Sequence, residues 1–237
     1  MLQSFKAAAS AAFRTFLPEK YKERHELAFW RKRYGAENGR LGNAYYEYYY
    51  TTFFGLDRTH YAGKRIIDIG CGPRGSLEWA DMAIERVGLD SLAKEYMKLG
   101  ADRHKMTYVD GRAEHIPFPT AHFDAAFSFN SLDHVHDLEQ TLAEIKRVVK
   151  PGGLFLLITE LHAEATRTEP QAFSFEIIER FAPEFIALST VAYEMSHERV
   201  YESIQAGRKY DPNNPSDEVI LCAKLQRQPT SNQRVMR

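Results

Sequence analysis

Cysteine is scarce in this sequence: Cys71 and Cys222 are the only two in 237 residues, and they lie far apart. Neither a disulfide framework nor a zinc site is indicated, and the usage suits a reducing cytoplasm, the expected localisation. Net charge is nearly absent as well, at -1 formally. That gives no global reason to expect a nucleic-acid partner. The one short basic candidate, Arg31-Lys32-Arg33, reads as a solvated helix face. Long apolar runs are missing: Gly153 to Thr159 is far too short for a membrane span, and no signal-peptide pattern is visible. Internal repeats and low-complexity tracts are missing too. The remainder is 44% hydrophobic and 27% charged, an ordinary balance for a globular chain with a substantial core.

The middle of the chain alternates short apolar runs with helical patterns, which predicts a parallel sheet with crossover helices. Strands are expected at 64–69, 84–90, 105–110, 123–129 and 153–159. Helices are expected at 76–83, 91–99 and 137–149. The last of these carries Leu138, Leu142, Ile145 and Val149 at helical spacing, and Pro151-Gly152 ends it. Further on, a helix near 174–181 and strands near 185–193 and 218–225 complete the sheet.

The sequence is organised around Ile66-Ile67-Asp68-Ile69-Gly70-Cys71-Gly72-Pro73-Arg74-Gly75, a buried-strand pattern running into a glycine-rich turn. Ser76 is expected to cap a following helix, whose first N–H groups would point at a ligand. The spacing Gly70-x-Gly72-x-x-Gly75, with Asp90 about twenty residues on, also satisfies the dinucleotide fingerprint. Asp68 separates the two readings. A carboxylate two residues before the first glycine would repel a pyrophosphate but attract an ammonium or sulfonium, by roughly a few kcal/mol per close pair. S-adenosylmethionine has both cations, a ribose diol and no phosphate.

Residues 66 to 160 resemble a class I S-adenosylmethionine-dependent methyltransferase. The resemblance rests on five motifs in order: Asp68-Ile69-Gly70-Cys71-Gly72, Gly88-Leu89-Asp90, Ala113-Glu114-His115-Ile116-Pro117-Phe118, Phe123-Asp124-Ala125-Ala126-Phe127 and Lys150-Pro151-Gly152-Gly153. It implies a three-layer Rossmann-like α/β fold. The seven-stranded, mostly parallel sheet would carry helices on both faces and a helical N-terminal extension. The expected division is an extension or lid over 1–60, a methyltransferase domain over 61–226 and a flexible tail over 227–237.

The resemblance also assigns roles. S-adenosyl-L-methionine would be the cofactor and S-adenosyl-L-homocysteine its product. Asp68 would bind the methionine ammonium through water or backbone neighbours, and Gly70 and Gly72 would permit close approach. Asp90, with Ser91 beside it, would take both ribose hydroxyls, because one carboxylate can accept two hydrogen bonds from a vicinal diol. Glu114 and Asn130 complete the cofactor set, Asn130 lying beside the sulfonium. At the adenine end the pattern departs: where many relatives carry an acid, this chain has Arg112, which cannot accept the amino group's hydrogen bond. The backbone around Ala113 is therefore expected to bind the base, with Arg112 stacking or facing solvent.

Methyl transfer from a sulfonium is a one-step displacement needing alignment and, for many acceptors, a base. His134, Glu160 and His162 are the candidates for that task, on loops at the carboxyl ends of strands. Asp133, His134, Glu160 and His162 have suitable ligand atoms for a metal, but their spacing identifies no motif, so none is expected. The aromatic block from Tyr45 to Phe54 is placed to fold over the cofactor, or to fill the seam against the sheet. Tyr45, Tyr46, Tyr49, Tyr193 and Tyr201 are the substrate-binding candidates. Residues 2 to 17 place Leu2, Phe5, Ala9, Ala12, Phe13 and Phe16 on one helical face. That face would pack on the domain or a partner subunit, or lie on a membrane surface. The acceptor is expected to be a small sugar-like or ring-bearing molecule, methylated at oxygen or nitrogen. Two rivals stand: a catalytically silent S-adenosylmethionine-binding partner, and a nicotinamide-dependent oxidoreductase.

Overall fold

Seven strands arise where the apolar runs lie: β1 (Arg65–Ile69), β2 (Glu85–Asp90), β3 (Thr107–Asp110), β4 (Phe123–Phe129), β5 (Val149–Leu161), β6 (Phe185–Glu194) and β7 (Val219–Arg227). In this computed structural model, residues 18–229 are described, except 167, 198 and 217. The strands form one sheet in the order β3-β2-β1-β4-β5-β7-β6. β7 runs antiparallel to both neighbours, and the pairings from β3 through β5 are parallel. β1 sits at the centre, with Ile66, Ile67 and Ile69 buried, as its β-branched run requires. The expected tail boundary shifts slightly, because Arg227 still belongs to β7 and the Gln228 N–H bonds the Glu184 carbonyl.

The helices are α1 (Pro18–Ala36), α2 (Tyr46–Tyr50), α3 (Ala93–Met97), α4 (Leu138–Val148) and α5 (Val200–Ala206), among the described residues. α4 begins where Asp137 accepts the Gln140 N–H, and it buries Leu138, Leu142, Ile145 and Val148. α1 places Leu27, Trp30 and Tyr34 on one face, and these pack on Leu92, Tyr96 and Leu99 of the α3 segment. The region near 174–181 is a 3-10 turn over Phe175–Phe181, capped by Ser174. The amphipathic pattern of residues 2–17 lies outside the described residues.

One expected helix is absent. Residues 76–83 form turns, with Glu78 N to Gly75 O at 3.0 Å, Ala80 N to Leu77 O at 3.1 Å and Ala83 N to Ala80 O at 3.0 Å. The stretch between β1 and β2 must first make the glycine turn and then return to a neighbouring parallel strand. A crossover with a full helix ordinarily takes a dozen or more residues, and the glycine turn leaves too few here. Leu77 and Ala80 are instead fully buried against Tyr61 and Ile66. The Ser76 hydroxyl is engaged by Asp68 and caps nothing.

Candidate active site

The site lies at the carboxyl ends of β1, β2, β4 and β5, where loops in such sheets carry ligand contacts. The turn after β1 is held by a chain of left-handed glycines: Gly70 at φ 76, Gly72 at φ 59 and Gly75 at φ 68. Space as well as φ requires glycine here. A Cβ on Gly70 would lie 2.4 Å from Cβ of Ser131, and one on Gly75 would lie 2.4 Å from the His104 ring. The Gly72 N–H donates to Oδ2 of Asp90 at 3.0 Å, and the Leu92 N–H donates to Oδ1 at 2.9 Å. Asp90 therefore ties the glycine turn to the end of β2, with further lone pairs on each oxygen for a ligand.

Asp68 is almost fully buried. Its Oδ2 accepts hydrogen bonds from Tyr50 at 2.8 Å and from Ser76. Burial raises its carboxyl to about 7, against the pull of those two donors. Burial likewise raises Asp90 to about 6, against the Leu92 and Gly72 N–H groups. Both carboxylates lack a cationic partner strong enough to offset desolvation. Such a pair favours a positively charged ligand.

The cover over this turn is α1 rather than the aromatic block. Trp30 lies above Gly72, 3.2 Å from where a Cβ would stand, and its indole N–H bonds Glu26 at 2.7 Å. Arg74, with 9% of its side chain exposed, pairs with Glu37, donates to the Gly42 carbonyl at 2.8 Å and lies over the Trp30 ring. Lys22 donates to the His134 carbonyl, and burial lowers its pKa. Arg112 is exposed with Nη2 3.5 Å from Glu23 of α1. It links the loop after β3 to α1.

Of the remaining cofactor candidates, Ser91 and Asn130 are exposed and Ala113 is half-buried. Asn130 has φ 53, a left-handed turn leaving β4. Glu114 is buried, and its Oε1 accepts the His136 N–H at 2.8 Å and the Asp137 N–H at 3.2 Å. That engagement braces the entry to α4.

The structure gathers Tyr45, Tyr46, Tyr49 and Tyr201. Tyr201 has ring centroids 5.7, 5.9 and 4.4 Å from the other three in that order. Tyr46, Tyr49, Tyr50 and Phe54 join the core with Phe127, Phe129 and Ile158, so they fill the seam against the sheet. Tyr193 lies apart. It lines a cavity of about 510 Å³ with Tyr48, Thr52, Phe53, Val191, Ile204 and Gln205.

In the turn after β4, His134 has Nε2 3.8 Å from Oδ2 of Asp133, whose side chain is 2% exposed. Glu160 is half-buried at the end of β5. Burial and the charges of Asp133 and Glu169 raise its carboxyl to about 7, while His162 pulls it down. His162 has Nδ1 2.8 Å from the Glu164 carbonyl. Sequence reasoning missed Tyr50, Ser76, Trp30 and Glu169. Only Ser76 carried a signal, its position directly after the glycine turn.

Residues 67–157 match the family model described as Methyltransferase domain. The sterol 24-C-methyltransferase erg6 of Aspergillus fumigatus is 33% identical over 103 residues, covering 39% of this chain and 27% of that protein. The malonyl-acyl-carrier-protein O-methyltransferase of Pseudescherichia vulneris is 31% identical over 133 residues, covering 55% and 52%. The chain thus spans about a quarter to a half of the curated relatives it matches. An S-adenosylmethionine-dependent methyltransferase from Mesorhizobium loti superposes with a TM-score of 0.51 at 18% identity, covering 70% of this chain and 92% of that one. The cyclase SpnF superposes at 0.54 with 20% identity, covering 71% and 76%. At such identities the likeness concerns the fold.

Proposed function

We infer that this chain, whose residues 67–157 match a methyltransferase-domain family model, is a class I S-adenosylmethionine-dependent methyltransferase that methylates an oxygen or nitrogen of a small sugar-like or ring-bearing molecule. One observation carries the cofactor half of the reading. The left-handed glycine turn is bonded to Asp90, beside a buried Asp68 that lacks a cationic partner. A Cβ would fill that cradle at Gly70, and the two acids suit an ammonium, a sulfonium and a ribose diol.

The bound sulfonium would supply the methyl group as an electrophile. The chain's own residues would do the rest. Gly70 and Gly72 allow the backbone to approach, Asp90 holds the diol, and Trp30 with Arg74 shields the turn from water. Glu160, His162 and His134 follow β4 and β5, and to them we assign the orienting of an acceptor or the taking of its proton. Tyr45, exposed at the edge of the tyrosine cluster, offers a ring face for an unsaturated or sugar ring, while Tyr46 and Tyr49 support it from the core. None of the described helices is long and apolar enough to cross a membrane.

The test is calorimetric binding of S-adenosylmethionine and, separately, NAD, to the wild type and Asp90→Ala. Micromolar S-adenosylmethionine binding that Asp90→Ala weakens at least tenfold is expected. Binding of NAD in its place would overturn the reading. Turnover over a panel of hydroxyl and amine acceptors, read as S-adenosylhomocysteine release, then separates an enzyme from a silent binding partner.

A further inference from the structure

We propose that Asp133, His134 and Glu169 form a binding site for one divalent first-row transition-metal ion on the acceptor side of the cofactor cradle. Each offers one ligand atom, and these atoms lie within 4.8 Å of one another. A central ion about 2.0–2.2 Å from each is reached by small side-chain rotations. The three residues come from two segments, the turn after β4 and the loop after β5. The segments are joined where the Gln171 N–H bonds the Asp133 carbonyl at 3.2 Å and the Gln171 amide bonds the Val135 and His136 carbonyls at 3.1 Å each. Thr166 donates its hydroxyl to Oε2 of Glu169 at 3.1 Å, an orienting contact of the kind that metal-binding carboxylates receive.

Two buried acceptor atoms there have no donor. Oδ1 of Asp133 is inaccessible and without a hydrogen-bond partner, and so is Nε2 of His162. Burying an unpaired carboxylate oxygen is costly, on the order of 1–3 kcal/mol or more. In His162, the Nδ1 contact to the Glu164 carbonyl, itself only an acceptor, places the ring proton on Nδ1. The Nε2 lone pair is thereby left free. Asp133 interacts electrostatically with His162, His134 and Glu169. The buried Asp133 oxygen that lacks a donor is answered by a cation held together with His134 and Glu169.

The chemistry of the donor set selects the ion. Mixed imidazole and carboxylate ligands suit manganese, iron, cobalt, nickel or zinc, whereas an all-oxygen set would suit magnesium or calcium. Three protein ligands leave open positions on the ion, which two adjacent oxygens of an acceptor can fill. The proposal thus narrows the substrate class to molecules with a vicinal diol or a hydroxyl beside a carbonyl. It rests on the methyltransferase reading for that step only, and the metal itself binds regardless of turnover. A ligand role for His134 leaves proton transfer to Glu160.

The experiment is a titration of tag-free protein with Mn²⁺ alone, followed by the electron paramagnetic resonance of the free ion, without S-adenosylmethionine or acceptor. One ion per chain is expected, displaced by Zn²⁺, with Glu169→Gln and Asp133→Asn each weakening binding at least tenfold. Because Asp133 is buried, its variant is first checked by thermal unfolding. The half-buried Glu169 supplies the independent variant. Absence of saturable binding up to millimolar Mn²⁺, or binding unaffected by Glu169→Gln, overturns the proposal. Loss of S-adenosylmethionine binding in Asp90→Ala bears on the cofactor reading alone, so the two can fail separately.

Discussion

Acidification should weaken binding of S-adenosylmethionine well before the protein unfolds. Asp68 is raised to about 7 and Asp90 to about 6, both chiefly by burial. A cationic ligand at Asp68 and a hydrogen-bonding diol at Asp90 both favour the ionised carboxylate, so binding requires that the protons leave. At pH 8 both groups are ionised and affinity is flat. At pH 5, Asp90 lies one unit below its value and Asp68 two, so the ionised fractions are about a tenth and about a hundredth. If binding needs both, affinity falls about a thousandfold between pH 8 and pH 5, roughly 4 kcal/mol.

The fold should survive that descent. Both carboxyls bind protons more tightly in the folded chain than in the unfolded one, so these two groups add stability as pH falls from about 7 toward the ordinary carboxylate range. Calorimetry in two buffers of different ionisation enthalpy measures both the affinity and the protons released, with circular dichroism recording the fold at each pH. One to two protons released at pH 5, and a shallower slope in Asp90→Asn, are expected. Affinity that stays constant from pH 8 to pH 5 in a folded protein would refute the placement of the ligand's cations against Asp68.

Three further outcomes are expected. Gly70→Ala forces a Cβ into a left-handed turn against Ser131; it should cost about 2–4 kcal/mol in denaturant unfolding. Tyr50→Phe removes one of the two donors to the buried Asp68 carboxylate, and should lower stability by about 1–3 kcal/mol while leaving the ring packing intact. Glu160→Gln should lower kcat about 10²- to 10⁴-fold at little cost to S-adenosylmethionine binding, measured by single-turnover product release once an acceptor is in hand.

The boundary between what the sequence shows and what it hides follows contact distance along the chain. β1, β4 and α4 were legible because their burial is written in local periodicity: a β-branched run, an apolar run and a 3.6-residue stripe. The seven-stranded, mostly parallel sheet is implied by the resemblance that five motifs carry, whereas the strand order is seen only in the structure. The expected helix at 76–83 failed because a local signal, Ser76 after a glycine turn, was outweighed by a crossover too short to hold it. The hydroxyl that would have capped a helix bonds Asp68, eight residues earlier. Of the two readings open for the aromatic block, lid or seam filler, its buried residues take the second. The tyrosine block has the composition of a lid, yet residues 46, 49 and 50 repeat at the spacing of a buried helical face, and that stripe goes into the core.

The site's chemistry lies furthest from local signals. Asp68 is legible as a carboxylate beside the glycine turn, but its own neighbours are not: Tyr50 comes from the N-terminal segment and Ser76 from the turn. In the proposed metal site the separation is greater. Asp133 and His134 are adjacent, whereas Glu169 follows a complete helix and strand, and nothing in its spacing marks it as a partner. What brings it back is the Gln171 anchor onto the carbonyls of Asp133, Val135 and His136. An unpaired Oδ1 on a buried Asp133 is a three-dimensional fact with no counterpart in the sequence. The proposed reaction class is therefore the part that motifs can suggest, because the glycine cradle is built from one strand–turn unit and one acid. The acceptor is not, because the groups that would select it are assembled by loops whose residues acquire meaning only once the sheet has formed.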